Sequence, residues 1–390
     1  MRILTRRPRE CDCSKLADIE SSTAPRAAAP ALAGYIAARL LGLFVLWLMT
    51  RHFGGHVSTL LGKWDGRWFV DVARHGYDTT LTQRADGSVV NTNIVFFPAY
   101  PYAIKAVAAT GLSELWAGLF VSWLAGLAAA WGIFALGALV YDRRVGVALA
   151  VLWGVLPHAI VESMVYSEAL FTALSAWTLY ALLRRQWVAA GALCLLAGAT
   201  RAAGGVLVVV VMAAALIALV RRRDGARPAA ALALAPLGLV GYLAWVAHAL
   251  DRWDGWFYMQ DKGWHLAFDG GRSTMHTFVH GVLLEPARLE LYEVSAVLVA
   301  SVVLLVLLAY LRPPWPLLAF AAGLVALTVG GEGYYHSKSR FLLPAFPLLL
   351  PIAVALGRTR LRTSGLVLSV LALASAWYGG YLLLQWPASL

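Results

Sequence analysis

Charge is what this 390-residue chain has least of: 14% of its residues are Asp, Glu, Lys or Arg, against 60% hydrophobic, and the mean hydropathy is +0.69. Soluble globular chains carry about 25% charged residues. A water-solvated surface around one core is therefore excluded, and a polytopic membrane protein is indicated. Acids are the scarcer sign, 21 against 32 Lys and Arg, which leaves a formal charge of +11. No nucleic-acid module accompanies that excess. The basic residues gather in short loops between apolar segments, where they mark a cytoplasmic face. Cysteine is equally sparse. Cys11 and Cys13 lie in a polar N-terminal stretch and Cys194 in an apolar one, too few ligands for a zinc site.

What is abundant is apolar runs of membrane-spanning length. Candidate spans fall near 31–50, 115–140, 145–161, 165–183, 187–200, 203–220, 229–250, 294–311, 315–331, 341–357 and 364–384, which predicts an all-α bundle of about eleven transmembrane helices. The segments at 145–161 and 187–200 are short for a perpendicular crossing. Residues 1–30 are mixed in charge and rich in Ala and Pro, with no apolar stretch before Ala31. They read as a disordered cytoplasmic tail and not as a cleavable signal peptide. Residues 31–390 form a single integral-membrane domain. Arg39, a lone charge within the first span, should face protein or snorkel. With the N-terminus inside, the cytoplasmic loops hold 18 basic and 6 acidic residues, the opposite side 13 basic and 15 acidic. The expected topology is therefore N-terminus in and C-terminus out, in a cell membrane, with the two long loops, 51–114 and 251–293, on the non-cytoplasmic side.

Function is sought in those loops. Residues 64–78 read WDGRWFVDVARHGYD and 96–101 read FFPAYP. From Asp65 the pattern predicts a short helix, with Asp65 as N-cap, an apolar stripe through Trp68, Phe69 and Val72, and Gly76 as terminator. Capping accounts for Asp65 as readily as catalysis does. Asp71 lies six residues on, roughly 120° around the helix, so the two carboxylates do not share a face. Residues 96–111, apolar but carrying Pro98, Pro101 and Lys105, read as a re-entrant or interfacial helix. One carboxylate suffices for sugar transfer from a lipid phosphate, because the leaving phosphate needs no protonation, only a general base for the acceptor and positive charge nearby. Arg201, in ATRAAGG, and Lys338 and Arg340, in EGYYHSKSRFLLPAFP, could meet a phosphate or snorkel at span ends. Glu162 and Glu168 are the remaining acids near spans, and Glu168 could pair with an Arg instead of touching substrate. The i, i+4 histidine pairs 52/56 and 276/280 lack a third ligand, so no metal and no cofactor are called for. A second Trp-Asp-Gly triplet, in RWDGWFYM at 252–259, reads first as interfacial tryptophan.

The run WDGRWFVDVARHGYD followed by FFPAYP, with YSEALF at 166–171, ATRAAGG at 199–205 and SRFLLPAFPLL at 339–349, resembles the PIG-V-type mannosyltransferases. That family contains the enzyme adding the second mannose of GPI anchors, together with bacterial relatives. The resemblance implies a GT-C glycosyltransferase that uses a polyprenyl-phosphate-linked sugar donor and a glycolipid, glycan or protein acceptor. It also implies a catalytic Asp in the first non-cytoplasmic loop, which here is Asp65. His75, Gly76, Tyr77, Phe97, Pro98 and Pro101 would shape that loop, and Glu168, Arg201 and Arg340 match polar positions of the later motifs. Trp64, Asp71, His75, Tyr77, Glu168, Arg201, Lys338 and Arg340 make up the expected substrate-binding set. One departure stands out: eukaryotic relatives carry an acid shortly before the FFP run, where this chain has Val90-Asn91-Thr92-Asn93. The competing reading, a transporter or lipid flippase, predicts paired repeats with interrupted helices, and no such symmetry is legible.

Overall fold

The computed structural model describes residues 25–82 and 88–386. Most of the expected tail, with Cys11 and Cys13, lies outside the described residues. The first helix begins earlier than Ala31: it runs Pro25–Phe53, because a proline near a helix start has its φ already set and Ala27, Ala28 and Ala31 are small enough to bury against the bundle. Apart from one isolated bridge between Phe268 and Gly331, the described residues carry helices and connecting loops.

Among the described residues, five helices are long and apolar enough to cross a membrane: Arg26–Phe53, Glu114–Val140, Arg227–Ala249, Leu289–Leu311 and Leu361–Gln385. A sixth forms if Tyr335–Phe341 and Phe346–Gly357, bent by 76°, count as one broken span. The expected eleven are thus not reached by length and composition. Several expected spans are shorter apolar helices, Glu168–Leu183, Trp187–Gly198, Gly204–Val220 and Trp315–Gly330. Twelve to seventeen residues cover only about 18–26 Å of the roughly 30 Å hydrocarbon layer. The segment expected as a span at 145–161 is helix Arg143–Gly154 followed, after a break, by the 3₁₀ turn Ala159–Ser163.

Glu114–Val140 is the most enclosed of the long helices and packs on Glu168–Leu183, Arg143–Gly154, Ala99–Ala108 and the first helix. Small residues permit this. A Cβ added at Gly137 would lie 2.7 Å from Gly146 Cα, so the two backbones touch as small-residue interfaces allow. Arg39 faces protein: its guanidinium donates to the Ala159 and Gly154 carbonyls and lies 3.8 Å from Glu162.

The two long loops fold onto each other over one end of the bundle. The first supplies helices Asp65–His75 and Ala99–Ala108, the latter following Pro98 inside the stretch expected to be re-entrant or interfacial. The second supplies Gly255–Tyr258 and Arg272–Phe278. Aromatic side chains lock them: Trp256 Nε1 donates to the Val95 carbonyl and Trp264 Nε1 to that of Thr92, both at 3.2 Å, and Tyr242 Oη donates to Ile94 at 2.8 Å. Each ring buries apolar area while its polar tip pairs a loop carbonyl that no secondary structure satisfies.

Candidate active site

Where these loops meet the bundle lies a cavity of about 1130 Å³. Trp64, Trp68, Phe96, Trp256 and Trp264 form aromatic walls, Leu324, Leu327 and Phe268 an apolar stretch, and Asp65, Arg201, Lys338 and Arg340 a charged end.

Asp65 does not cap its helix. Trp64 occupies the N-cap position, at φ 54° and ψ −116°, and Asp65 is the first helical residue. Its carboxylate is instead gripped by Arg340, Nη1 to Oδ2 at 2.5 Å. Two contacts fix the helix start. Asp65 N–H faces Tyr166 Oη at 3.3 Å, and a Cβ at Gly66 would stand 3.2 Å from the Val165 carbonyl, so glycine lets the helix sit close to the 163–167 segment.

Arg340 owes its position to a break. Pro344 removes a backbone donor and disfavours helix at Leu343, so the short Lys338–Phe341 helix stops and the chain turns before Leu350–Gly357. Trp153 Nε1 takes up the freed Leu343 carbonyl at 3.0 Å. Irregular backbone within a membrane bundle is tolerated where it is enclosed by protein or lines a cavity. Behind the same helix, Glu293 accepts from Ser339 Oγ at 3.1 Å and Tyr378 Oη at 3.3 Å and faces His158 Nδ1 at 3.4 Å. No sequence signal pointed to His158 or Glu293, which the fold alone makes neighbours.

Glu168 is fully buried and paired on both sides: Oε1 lies 2.7 Å from Arg201 Nη1 and 3.4 Å from Arg340 Nε. Arg201, in the break between Trp187–Gly198 and Gly204–Val220, also donates to Ser167 Oγ at 3.1 Å. The result is a chain of alternating charge, Arg201–Glu168–Arg340–Asp65. Lys338, also buried, has backbone partners only among the described residues, the Thr328 and Gly331 carbonyls at 2.8 and 2.5 Å. Asp65 and Glu168 are matched by Arg201 and Arg340; Lys338 adds a cation, and Glu332, beside the Gly331 carbonyl that Lys338 holds, also lines the cavity. The guanidinium groups offer bidentate donors to an anion.

Three members of the expected binding set lie elsewhere. Asp71 points away from Asp65, as its helical offset dictates; its oxygens meet His75 Nδ1 at 2.9 Å and Asn93 Nδ2 at 2.8 Å. His75 is exposed, and Tyr77 packs its ring on Tyr242 and Trp245 while donating to the Phe96 carbonyl. None of the three lines the cavity. Asn93 gives the departure noted before FFP a physical sense. Fully buried, it donates to Asp71 and to the Gly76 carbonyl and accepts from Asp78 N–H. A carboxylate could not donate and would stand against Asp71. The second triplet is more than an interfacial anchor: Trp253 is 90% exposed, but Asp254, paired with Arg252 at 2.6 Å, lines the same cavity as Asp65.

No protein-family profile and no curated protein matches this sequence. Among solved structures, ArnT from Cupriavidus metallidurans bound to undecaprenyl phosphate aligns at a TM-score of 0.52 and 16% identity over 85% of this chain. The apo form of ArnT aligns at 0.50 and 17%. The chain shares the fold of ArnT over that length. It spans 61% of the length of the lipid-bound ArnT chain, and at this identity the likeness speaks to the fold of a multi-pass membrane protein.

Proposed function

We propose that this chain is an inverting glycosyltransferase that moves mannose, or a related sugar, from a polyprenyl-phosphate donor to an acceptor hydroxyl on the non-cytoplasmic side of the membrane. The observation that carries the reading is the Asp65 carboxylate at the charged end of an aromatic-walled cavity, within reach of Arg340 and near Arg201 and Lys338. The lipid phosphate held by the ArnT structure supports a polyprenyl-phosphate ligand for the shared fold.

In this mechanism the donor phosphate enters beside Arg340, whose guanidinium turns part of its hydrogen bonding from Asp65 to the phosphate. Asp65, loosened from its ion pair, takes the proton of the acceptor hydroxyl as that oxygen attacks the anomeric carbon. The bond from that carbon to the phosphate oxygen breaks, and its electron pair stays on the phosphate, steadied by Arg340, Arg201 and Lys338. Attack opposite the leaving group inverts the centre. Glu168 is a positioning residue here: it holds both arginines in place and does not touch substrate.

The test is Asp65→Asn in a membrane assay with labelled polyprenyl-phosphate mannose. Transfer should fall by about 10²–10⁴-fold while the variant stays folded and membrane-inserted, with a cooperative thermal transition in detergent. A variant with full turnover would overturn the assignment. Liposomes in which the protein moves the lipid-linked sugar without forming a glycosidic bond would favour a transporter.

A further inference from the structure

A second cavity, of about 400 Å³, lies on the other side of Trp64. Lys63, Trp64, Arg67, Leu384, Gln385 and Trp386 line it, and its volume falls within the roughly 300–1,000 Å³ typical of ligand sites. Among the described residues, two cations and no carboxylate face it. Lys63 Nζ donates to the Leu383 carbonyl at 2.8 Å, and neither Lys63 nor Arg67 has an ion-pair partner among the described residues. Burial first, and then the neighbouring Arg67 charge, push the Lys63 ammonium below its usual pKa. Arg288 adds a third cation near the Trp386 ring, 5.8 Å from its centroid.

Trp64 is the partition between the two cavities, since it lines both. Its backbone at φ 54° is a costly conformation for a bulky residue. That strain holds an aromatic wall between Lys63, on one side, and Asp65, on the other. Trp386 follows directly on the Leu361–Gln385 helix, so the second cavity exists only once that helix has docked.

We propose that this cavity binds the acceptor through a phosphorylated sugar or polyol headgroup, with Lys63 and Arg67 on the phosphate and the Trp64 and Trp386 rings against the carbohydrate. The role as acceptor site rests on the glycosyl-transfer reading above; the binding chemistry does not. A headgroup seated there stands one residue from Asp65, so a hydroxyl reaching past Trp64 meets the general base from the side opposite the donor.

The experiment is direct binding to the full chain in detergent, by calorimetry or native mass spectrometry, with glucose 6-phosphate, glucose and inorganic phosphate as probes. Glucose 6-phosphate should bind at least about tenfold more tightly than either other probe. The Lys63→Gln/Arg67→Gln pair should weaken it by about tenfold or more, as loss of charge-assisted contacts requires. Lys63→Arg/Arg67→Lys should retain binding, which separates lost charge from lost folding, and Asp65→Asn should leave it unchanged. Glucose 6-phosphate affinity indifferent to the Gln pair would overturn the proposal. So would inorganic phosphate binding as tightly, because the tryptophan walls would then contribute nothing. Because the readout is binding, a negative result together with Asp65-dependent transfer would remove this site and leave the donor reading standing.

Discussion

Glu168 is the residue on which the charged end depends. One buried carboxylate oxygen faces two guanidinium groups, at 2.7 and 3.4 Å, and removing one partner from such a group leaves uncompensated charge in a low-dielectric interior. Glu168→Gln should therefore cost about 3–5 kcal/mol, seen as a lower unfolding temperature in detergent, with loss of donor affinity because Arg201 and Arg340 lose their common anchor. An unfolding temperature equal to wild type would mean the arginines find other partners. Asp71 makes the opposite point at the same scale: an acid in the most informative stretch of sequence serves as a tie to Asn93 and His75.

Among the elements, packing is governed by close backbone approach and by breaks. Gly137 and Gly146 let two helices touch, whereas Gly365, on the exposed side of the Leu361–Gln385 helix, has open space around it. Gly137→Ala should thus destabilise by about 1–3 kcal/mol through overpacking, and Gly365→Ala should be neutral or stabilising by about 0.5–1 kcal/mol through helix propensity. Paired thermal melts check both, and equal shifts would contradict the observed packing. The breaks matter more for function. Arg201 and Arg340 both sit where apolar helices are interrupted, at Ala199–Ala203 and before Pro344, because a continuous helix would satisfy its own backbone and leave no opening in the bundle.

For the whole molecule, the distribution of Lys and Arg predicts which side the cavity opens on. With Cys11, Cys13 and Cys194 replaced by Ser, Asp78→Cys should react with a membrane-impermeant thiol reagent added to intact cells. Arg223→Cys should react only after permeabilisation. The reverse pattern would invert the topology and place the proposed chemistry in the cytoplasm.

By itself the sequence determined the class of molecule, through scarce charge and long apolar runs, and it pointed to the helix starting at Asp65; the span expected at 341–357 is instead broken before Pro344. Local chemistry suffices for the class and for that helix, since hydropathy, proline and glycine act within a few residues. The eleven spans exceeded what helix length supports, because apolar runs of span length are cut into shorter helices by breaks that hydropathy does not mark. Only the tertiary structure decided that Asp65 binds Arg340 instead of capping its helix, across 275 residues of chain. It alone kept His75 and Tyr77 out of the cavity lining and brought Trp386 to face Lys63 and Arg67. Each of these is a contact between segments remote in sequence, fixed by which faces of the helices the bundle buries together.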